Sequence, residues 1–357
     1  MSERTRLVVL FGGQSAEHDV SCVTAASVLA AVDAARYDVV PVGITKEGRW
    51  VAADDAMGAL AAGAKALPPA GREISPESIV GERTVVFPLL HGPMGEDGTV
   101  QGLLELTGIP YVGTGVLGSA LAMDKAKARE VFEQAGIPMA RWLARRDGAI
   151  EDDLDATVSD TLGWPVFVKP SNMGSSVGVS KVKTAAELPA AIALALAYDE
   201  WVLIEEAVDG REVECAVLGL LEPRASVIGE IVPKAEFYDY DDKYSGDGAD
   251  LVIPADLPTE VSEEARRLAI DAFLAVRAEG LARCDFFYEE RGRGLLLNEV
   301  NTIPGFTPYS MYPQLWAATG LPYDALIDEL VRLAVERHER RSNRVGRPRP
   351  QLGQGTS

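Results

Sequence analysis

The feature that most constrains the fold is an alternation of short apolar runs and helical segments in the N-terminal part of the chain. Residues 7–11 (LVVLF) form an apolar run that Gly12 and Gly13 end, and a helical segment follows. Apolar runs at residues 39–44 and 85–90 repeat this pattern. Such alternation predicts a parallel, doubly wound α/β sheet.

Two further units are expected after this sheet. Strands predicted at residues 166–169, 177–183 and 201–205 flank a helix at 185–198, which indicates an α+β unit. Residues 56–82 are rich in Ala, Gly and Pro and are expected to form a peripheral loop or weak helix. The predicted organisation is an N-terminal α/β domain (1–120), a central α+β domain (121–207), a C-terminal α+β domain (208–345) and a disordered tail (346–357).

The acidic balance of the chain argues against nucleic acid as a partner. The sequence has 54 acidic and 34 basic residues and a formal net charge of -20, whereas neutralising phosphates requires clustered Lys and Arg. The only basic cluster, residues 337–349, is expected to be a solvated tail, with disorder from about residue 341.

Cysteine use and hydropathy indicate a cytoplasmic protein. Cys22, Cys215 and Cys284 are far apart and form no C-x-x-C pair, which is typical of a reducing compartment. The first apolar run, residues 7–11, is too short for a signal peptide, and no other run reaches the length of a membrane span. We therefore expect no membrane partner.

The most informative segment is RCDFFYEERGRGLLLNEVN, at residues 283–301. Two β-rich runs flank a turn, which predicts a hairpin. If the turn centres on Gly292, Asp285 lies opposite Glu299 and Arg283 lies opposite Asn301. Period-2 alternation then places all four side chains on one face of the hairpin.

These four side chains predict a metal site. Facing residues on paired strands have Cβ atoms about 5 Å apart, and like charges in such positions are destabilising. Asp285 and Glu299 therefore need a cation between them, and Asn301 supplies a further oxygen. Ligand sets made only of oxygen select a hard ion such as Mg²⁺. The alternative is a solvated polar face beside Arg283, but the run LLLNEVNTIPGF is too apolar for an exposed edge.

A second segment, residues 165–182, predicts an anion site. Lys169 ends a strand, and the small residues of PSNMGSS form the turn before the next strand. Gly and Ser let backbone N–H groups approach an anion, and Lys169 adds a positive charge. An ordinary flexible hairpin loop is the alternative.

Other motif matches fail on their context. Residues 174–178 match G-x-S-x-G, but that hydrolase elbow requires a following helix and a downstream His, whereas a strand is expected here and His338 lies in a charged run. Residues 113–118 match a dinucleotide fingerprint, but no acidic residue ends a strand about 20 residues later, which favours a glycine turn opening a helix. There is no P-loop motif.

Three polar residues near the predicted turns carry little information alone. Glu17 fits an acid that stabilises a helix N-terminus, an effect of about 0.3–1 kcal/mol. His18 and His91 are too far apart in sequence to indicate a metal pair, and each is expected to be packed or hydrogen-bonded.

Together, these segments resemble the D-alanine–D-alanine ligases of the ATP-grasp superfamily. The resemblance runs in family order from residue 11 to residue 313 and implies three domains, with ATP held between the second and third. The matching segments are FGGQSAEHDVS (11–21), HGPMGEDGTVQG (91–102), MDK (123–125), VKPSNMGSSVGVSKV (168–182), IEEAVDGREVE (204–214), FYDYDDKY (237–244), ARCDFF (282–287) and NEVNTIPGFTPYSMYP (298–313).

The resemblance implies a nucleotide site and a metal site. Its ATP residues would be Lys125, Lys169 and Lys243 for the phosphates, Glu205, Glu206 and Val208 for adenine, Glu212 for the ribose, and Ser176 as a further ATP contact. Asp285, Glu299 and Asn301 match the family's site for two Mg²⁺ or Mn²⁺ ions, in agreement with the hairpin register.

The resemblance also implies two amino-acid sites. Glu17 would hold the ammonium of the first D-alanine, in a hydrogen-bonded set with Ser175 and Tyr244, and His91 would lie beside it. Residues that would stabilise the tetrahedral oxyanion or bind the second D-alanine are Arg283, Gly305, Ser310 and Met311; many relatives carry Leu at the last position. Homodimers are usual in the family.

The implied chemistry explains this set of residues. A carboxylate is a poor electrophile, so ATP converts it to an acyl phosphate, which the free amine of the second amino acid attacks. Lysines and metal ions offset the charge on the transferring phosphoryl group. Residues 236–250 have the composition of a lid that keeps water from the intermediate.

Two other functions are compatible with parts of this pattern. A depsipeptide ligase making D-alanyl-D-lactate has the same fold, but it usually carries His or Phe where Tyr244 stands. A His could be protonated near neutral pH and would disfavour a cationic amino acid relative to lactate. A non-catalytic nucleotide-binding regulator would have lost a metal or phosphate residue, and none is missing.

Overall fold

Three separate β-sheets, each built from a different stretch of chain, form the framework of the computed structural model. The structure describes residues 4–233 and 249–344. Lys243 and Tyr244, as well as the predicted tail at 346–357, lie outside the described residues.

The first sheet has the strand order β4-β3-β2-β1-β5. Strand β1 runs parallel to both of its neighbours, β2 and β5, whereas β3 and β4 add an antiparallel edge. The segment at 56–82, expected to be a loop or weak helix, holds a short helix and the edge strand β4. The strands are β1 (Thr5–Gly12), β2 (Tyr37–Ile44), β3 (Trp50–Ala52), β4 (Arg72–Glu73) and β5 (Thr84–Pro88).

Helices cover both faces of this sheet, which confirms the doubly wound prediction. Leu7 and Val9 of β1 pack in one apolar cluster with the first helix, while Val8 and Leu10 pack in another with the third helix. Strand β1 is therefore buried on both sides, as its continuous apolar run indicates. The helices of this unit are α1 (His18–Ala31), α2 (Ala56–Ala61), α3 (Thr99–Thr107) and α4 (Val116–Met123).

The second sheet is antiparallel, in the order β6-β9-β7-β8, and has an apolar cluster of its own. The predicted strand at 177–183 is shorter in the structure because Ser175 and Ser176 turn the chain with φ angles of +46° and +59°. Its elements are β6 (Trp142–Arg146), α6 (Leu154–Thr161), β7 (Val166–Pro170), β8 (Ser180–Val182), α7 (Leu188–Leu196) and β9 (Trp201–Glu206), preceded by α5 (Lys125–Gln134).

The third sheet is also antiparallel, in the order β12-β11-β10-β13-β14. Val213 and Cys215 of β10 pack with α8 on one face, whereas Ala216 and Leu218 face α9 and α10 on the other. The elements are β10 (Arg211–Gly219), β11 (Arg224–Pro233), β12 (Ala249–Val252), α8 (Thr259–Ala275), β13 (Gly280–Glu289), β14 (Gly294–Asn301), α9 (Met311–Ala318) and α10 (Tyr323–Ser342). No helix within the described ranges is long and apolar enough to cross a membrane.

The basic cluster that begins at Arg337 is part of the folded core, so the expectation of a solvated tail was wrong for its first residues. The Arg337 side chain is buried, donates to the carbonyls of Tyr111 and Gly113, and stacks 4.0 Å from the Tyr111 ring centroid. Arg340 and Arg341 each lie 2.5 Å from a Glu279 oxygen. These contacts fasten α10 to both the first and third sheets.

The first and third sheets share one large apolar cluster, whereas the second sheet has a separate one. Ala128 and Phe132 of α5 pack in the cluster beneath the third sheet, although α5 precedes the second sheet in the chain. The domain limits at residues 120, 207 and 345 remain predictions.

Candidate active site

A cavity of about 1150 Å³ lies between the three sheets. Most of the predicted site residues line it: Glu17, His91, Lys125, Lys169, Ser175, Ser176, Val208, Glu212, Arg283, Asp285, Glu299, Asn301, Gly305, Ser310 and Met311. Glu205 and Glu206 lie behind this lining, with their side chains buried. Residues far apart in sequence thus converge on one cavity, as the sequence predicts.

Glu17 occupies the position before α1, but its side chain makes no capping hydrogen bond to that helix. Instead, the Ser175 hydroxyl donates to Glu17 Oε1 across the cavity. Two glycines leave room for the carboxylate: a Cβ at Gly92 would lie 2.5 Å from Glu17 Oε2, and one at Gly174 would lie 2.7 Å from it. Loops of the first and second sheets therefore meet around this carboxylate.

Glu96, which sequence analysis did not single out, is a second carboxylate at this end of the cavity. Its Oε1 accepts a 2.8 Å hydrogen bond from the Gly92 N–H. Burial, with the nearby negative charge of Glu17, raises the pKa of Glu96 well above its ordinary value. The carboxyl group thus holds its proton more tightly than an exposed glutamate does.

His91 is packed beside these carboxylates, as expected. Its Nδ1 donates to the Ile303 carbonyl at 3.1 Å, and its Nε2 lies 3.4 Å from Thr24 Oγ1. Burial lowers the pKa of His91, partly offset by Glu17. His18 is hydrogen-bonded elsewhere, to the Gly13 carbonyl.

The hairpin of β13 and β14 has the predicted pairs at its open end. Asp285 lies opposite Glu299, and Arg283 lies opposite Asn301. The position of the turn differs from the prediction. Glu289 lies opposite Gly294, so the turn is centred before Gly292. A register shift after Asp285 leaves Asn298 as an extra residue on β14, and this bulge restores the predicted pairs.

The four side chains contact one another. Arg283 Nε and Nη2 each donate to an Asp285 oxygen at 2.7 Å, and Asn301 Nδ2 donates to Asp285 at 2.9 Å and to Glu299 at 3.4 Å. A further buried carboxylate, Glu214, lies 2.9 Å from Arg283 Nε. Although burial lowers the pKa of Arg283, Asp285 and Glu214 raise it well above its ordinary value.

The donor set on this face suits a hard cation. Asp285, Glu299 and Asn301 offer only oxygen ligands, the type that Mg²⁺ and Mn²⁺ prefer. Within residues 4–233 and 249–344, no three acidic, histidine or cysteine side chains already surround a common point for a metal ion. The Asn301 amide instead bridges the two carboxylates, so binding an ion here requires this amide to turn its oxygen inward.

A second group of residues at the cavity, Lys125, Arg129, Lys169 and Glu205, is rich in positive charge. Lys169 Nζ lies 2.5 Å from Glu205 Oε2, and Arg129 donates to the other oxygen of the same carboxylate. Burial alone would raise the pKa of Glu205, but the charges of Arg129 and Lys169 lower it. Lys125 Nζ reaches the Met173 carbonyl at 2.5 Å and lies 4.0 Å from Glu299. One carboxylate thus faces three cations in this group.

Glu206 is held differently from Glu205. Arg141 Nε donates to Glu206 at 2.7 Å, and the Arg293 side chain donates to its other oxygen. Val208 and Glu212, which follow in the chain, do line the cavity.

The start of α9 forms another part of the wall. Ser310, the residue before this helix, lies 2.9 Å from Thr307 Oγ1 and accepts a hydrogen bond from the Thr307 N–H at 3.1 Å. Met311 begins the helix and is buried between the cavity and the core. A Cβ at Gly305 would lie 3.2 Å from Ser310 Oγ, so the loop passes close to this hydroxyl.

Two family models cover most of the chain. The model described as "D-ala D-ala ligase N-terminus" matches residues 6–114, and "D-ala D-ala ligase C-terminus" matches residues 131–332. The chain belongs to the D-alanine–D-alanine ligase family. The resemblance inferred from sequence is thereby confirmed, and so is the enzyme class, a ligase.

Individual members of the D-alanine–D-alanine ligase family resemble the whole chain. The ligase of Geobacillus kaustophilus is 47% identical, over 94% of this chain and 96% of the relative. That of Paenarthrobacter aurescens is 49% identical, over 94% and 96%. These relatives match nearly end to end.

Solved structures extend the likeness to the fold. The D-alanine–D-alanine ligase from Coxiella burnetii has a TM-score of 0.82 and 36% identity, covering 96% of this chain and 97% of that one. The VanG D-Ala:D-Ser ligase from Enterococcus faecalis has a TM-score of 0.78 and 34% identity, covering 93% and 100%. The three-sheet architecture is therefore the ATP-grasp fold of the D-alanine–D-alanine ligases.

Charged residues of the ligase site that sequence analysis did not single out include Arg129, Glu96 and Glu214. A signal existed for Glu214, because it shares a strand face with Glu212 by period-2 alternation. Glu96 lay within the matching segment HGPMGEDG, but its burial depends on contacts from other loops. Arg129 is one of several basic residues on α5, and only the fold shows that it faces inward.

Proposed function

We propose that this chain joins two D-alanine molecules, using ATP, to give D-alanyl-D-alanine, ADP and phosphate for peptidoglycan precursor synthesis. The observation that carries the proposal is the division of charge in the cavity. A pair of carboxylates lies at one end, a cationic cluster lies at the other, and Arg283 with its acidic neighbours lies between them. These three groups would face, in the same order, the ammonium of the first amino acid, its reacting carbonyl and the phosphates of the nucleotide.

The first D-alanine would bind at the carboxylate end. Glu17 is oriented by Ser175 and offers an acceptor for the substrate ammonium. Glu96 and His91 form the adjacent wall. Burial is the main cause that raises the pKa of Glu96 and lowers that of His91, which favours the neutral form of each.

ATP would bind at the cationic end. Lys125 and Lys169, which line the cavity, would contact the phosphates, and Ser176 lies in the turn before β8. Val208 and Glu212 would contact the adenine and ribose, with Glu205 and Glu206 supporting that wall from behind. Lys243, predicted to reach the terminal phosphate, lies outside the described residues.

Asp285, Glu299 and Asn301 would hold the Mg²⁺ or Mn²⁺ ions. Bound ions would offset charge on the transferring phosphoryl group. Lys125, 4.0 Å from Glu299, keeps a protein cation at the border between this group and the nucleotide.

Arg283 and the Gly305 N–H would stabilise the oxyanion formed during attack on the acyl phosphate. Glu214 and Asp285 hold the guanidinium from two sides, so the donor is oriented before the substrate arrives. Ser310 and Met311 would contact the second D-alanine, whose neutral amine attacks the carbonyl as phosphate leaves.

The test measures phosphate release with ATP and Mg²⁺ over a panel of D- and L-amino acids, followed by product identification. D-Alanine alone should support turnover, and L-alanine should not. Equimolar D-alanine with D-lactate, and separately with D-serine, should give mainly D-alanyl-D-alanine from pH 6 to 9. Predominant depsipeptide at pH 7 would instead support the D-alanine–D-lactate ligase.

We further propose that the enzyme acts in the cytoplasm as a homodimer. The homodimer is proposed from the family resemblance, and the cytoplasmic location from the dispersed cysteines of the sequence. Sedimentation of the purified protein would test the dimer, and a monomer at micromolar concentration would contradict it.

A further inference from the structure

Four residues lie side by side across the third sheet, on the face that looks into the cavity. Glu299 pairs with Asp285, Asp285 pairs with Glu214, and Glu214 pairs with Gly229. Directly cross-strand partners point to the same face of a sheet. The row therefore consists of three carboxylates and, at its end on β11, one position without a side chain.

The missing side chain at Gly229 makes room for Met311. A Cβ built at Gly229 would lie 2.6 Å from Met311 Sδ, which is closer than real Cβ atoms come, and 3.2 Å from Met311 Cε, which is tight. Gly229 is not among the glycines with positive φ, so its backbone conformation does not require glycine. Glycine is needed at this position because it has no side chain that would collide with Met311.

The cavity offers Met311 a direction in which to move if this room is filled. Leu315, one turn further along α9, lies 3.0 Å from the same Cβ position and is fully buried in the core. On its other side, Met311 lines the cavity. Methionine is flexible, and a close-packed core does not yield easily. Added bulk at Gly229 would therefore push the thioether into the cavity.

We propose that Gly229 sets the size of the pocket for the second amino acid by letting Met311 lie back against β11. This inference rests on the proposed function, in which Met311 contacts the second substrate. Gly229 is then a positioning residue for specificity: it acts through Met311 and lies outside the cavity lining. The pocket it controls accepts a small amino acid with an apolar side chain.

The experiment uses an internal competition that reports on the second site alone. The full-length enzyme receives D-alanine and D-2-aminobutyrate, which is one methylene larger, with ATP and Mg²⁺. Tandem mass spectrometry then gives the ratio of D-alanyl-D-2-aminobutyrate to D-alanyl-D-alanine. Both products carry D-alanine first, so effects on the first site, on ATP and on the amount of active enzyme cancel.

Gly229→Ala should lower this ratio by about tenfold or more, the range for one methylene in a tight apolar pocket. Met311→Ala should raise the ratio. In the double variant, Gly229→Ala should no longer have an effect, because the side chain through which it acts has been shortened. The matched control is Gly58→Ala on α2, where an added Cβ meets nothing within 4 Å; its ratio should equal that of the wild type.

Three results would overturn the inference. An unchanged ratio in Gly229→Ala, with a changed ratio in Met311→Ala, removes the role of Gly229 and leaves the proposed function intact. An equal effect of Gly229→Ala with and without Met311→Ala shows that it does not act through Met311. No change in any variant removes Met311 from the second-substrate pocket as well.

The comparison also works if Gly229→Ala alone does not fold. In the double variant the shortened side chain at position 311 leaves room for the added methyl group. Its product ratio is compared with that of Met311→Ala. Equal ratios support the inference, and a lower ratio in the double variant contradicts it.

Discussion

The pKa of a buried glutamate is shifted in opposite directions at the two ends of the cavity. At the nucleotide end (Lys125, Arg129, Lys169 and Glu205), one carboxylate is paired with cations, and its pKa is lowered although burial alone would raise it. At the substrate end (Glu17, His91, Glu96 and Ser175), Glu96 is raised in pKa by burial and by Glu17. The same residue type thus takes its charge state from its neighbours.

This difference indicates what each end binds. The nucleotide end has an excess of positive charge, which suits an anion such as a phosphate chain. The substrate end holds the carboxylates of Glu17 and Glu96, which suits an ammonium group, and the charge of Lys125 reaches Glu96 from the nucleotide end. A reaction between an amino acid and ATP needs both, with the reacting atoms at the border where Arg283 lies.

The largest effect should follow from a change at that border, in Glu299. Glu299→Gln should abolish ligation while the fold stays intact, because the proposed ion site loses a charged ligand. Phosphate release over a Mg²⁺ titration measures this, with Glu290→Gln on the exposed turn of the same hairpin as the control. Wild-type turnover by Glu299→Gln at low Mg²⁺ would rule out the site.

Arg283→Ala should lower kcat by about 10²–10³, the usual loss for one oxyanion donor. KM for ATP should change much less, because Arg283 lies outside the nucleotide end. Arg283→Lys is the control. It keeps a positive charge near Glu214 and Asp285 but loses the bidentate hydrogen bonds. It therefore distinguishes the loss of the oxyanion donor from repulsion between the two unneutralised carboxylates. An effect confined to KM for ATP would contradict the assignment.

Lys169→Met tests the nucleotide end by itself. Removing one cation should raise KM for ATP by roughly 10- to 100-fold, as expected for a hydrogen bond to a charged group, and leave the D-alanine dependence nearly unchanged. Glu205 keeps Arg129 as a partner, so the fold should persist. Lys127→Met, on the exposed side of α5 and paired with Glu130, is the control. Equal losses toward both substrates would show that the two ends are not separable.

The smallest effect concerns stability, at Glu96. Its pKa is raised above the ordinary 4.5, so protonation favours the folded state. That contribution is present below pH 4.5 and is lost as pH rises through the raised pKa. Glu96→Gln keeps the acceptor for the Gly92 N–H but cannot ionise, so it should gain stability relative to the wild type as pH rises.

Thermal unfolding of the ligand-free proteins from pH 5 to 9 measures this gain. Glu290→Gln, which changes an exposed carboxylate, should follow the wild-type curve. Parallel curves for Glu96→Gln and the wild type would mean that Glu96 is not held protonated by its surroundings.

Sequence reasoning succeeded where a local rule determines the structure. The hairpin pairs Asp285–Glu299 and Arg283–Asn301 follow from period-2 alternation about a turn. The bulge at Asn298 could not be predicted, because it depends on how β14 packs against the rest of the sheet. The predicted pairs were right, although the turn is not centred on Gly292 as assumed, because the bulge offsets the difference.

Reasoning failed where contacts join distant parts of the chain. Arg337 lies in a charged run that resembles a solvated tail, yet its partners are carbonyls on Tyr111 and Gly113, more than 200 positions earlier. The roles of Glu96 and Arg129 likewise depend on side chains from other elements, Glu17 for Glu96 and Glu205 for Arg129. Residue type and local spacing contain no information about such partners.

The last helix of the described chain completes a core that begins with the first strand. Leu7 and Val9 of β1 share an apolar cluster with Ile327, Leu330 and Leu333 of α10. A ribosome makes β1 first, and domains ordinarily fold in the order in which they emerge. Here part of the cover for β1 is made more than 300 residues after β1 itself. A nascent chain stalled before Tyr323 should therefore remain open to protease at its first sheet, because this sheet is fully covered only after the helix at 323–342 has been translated.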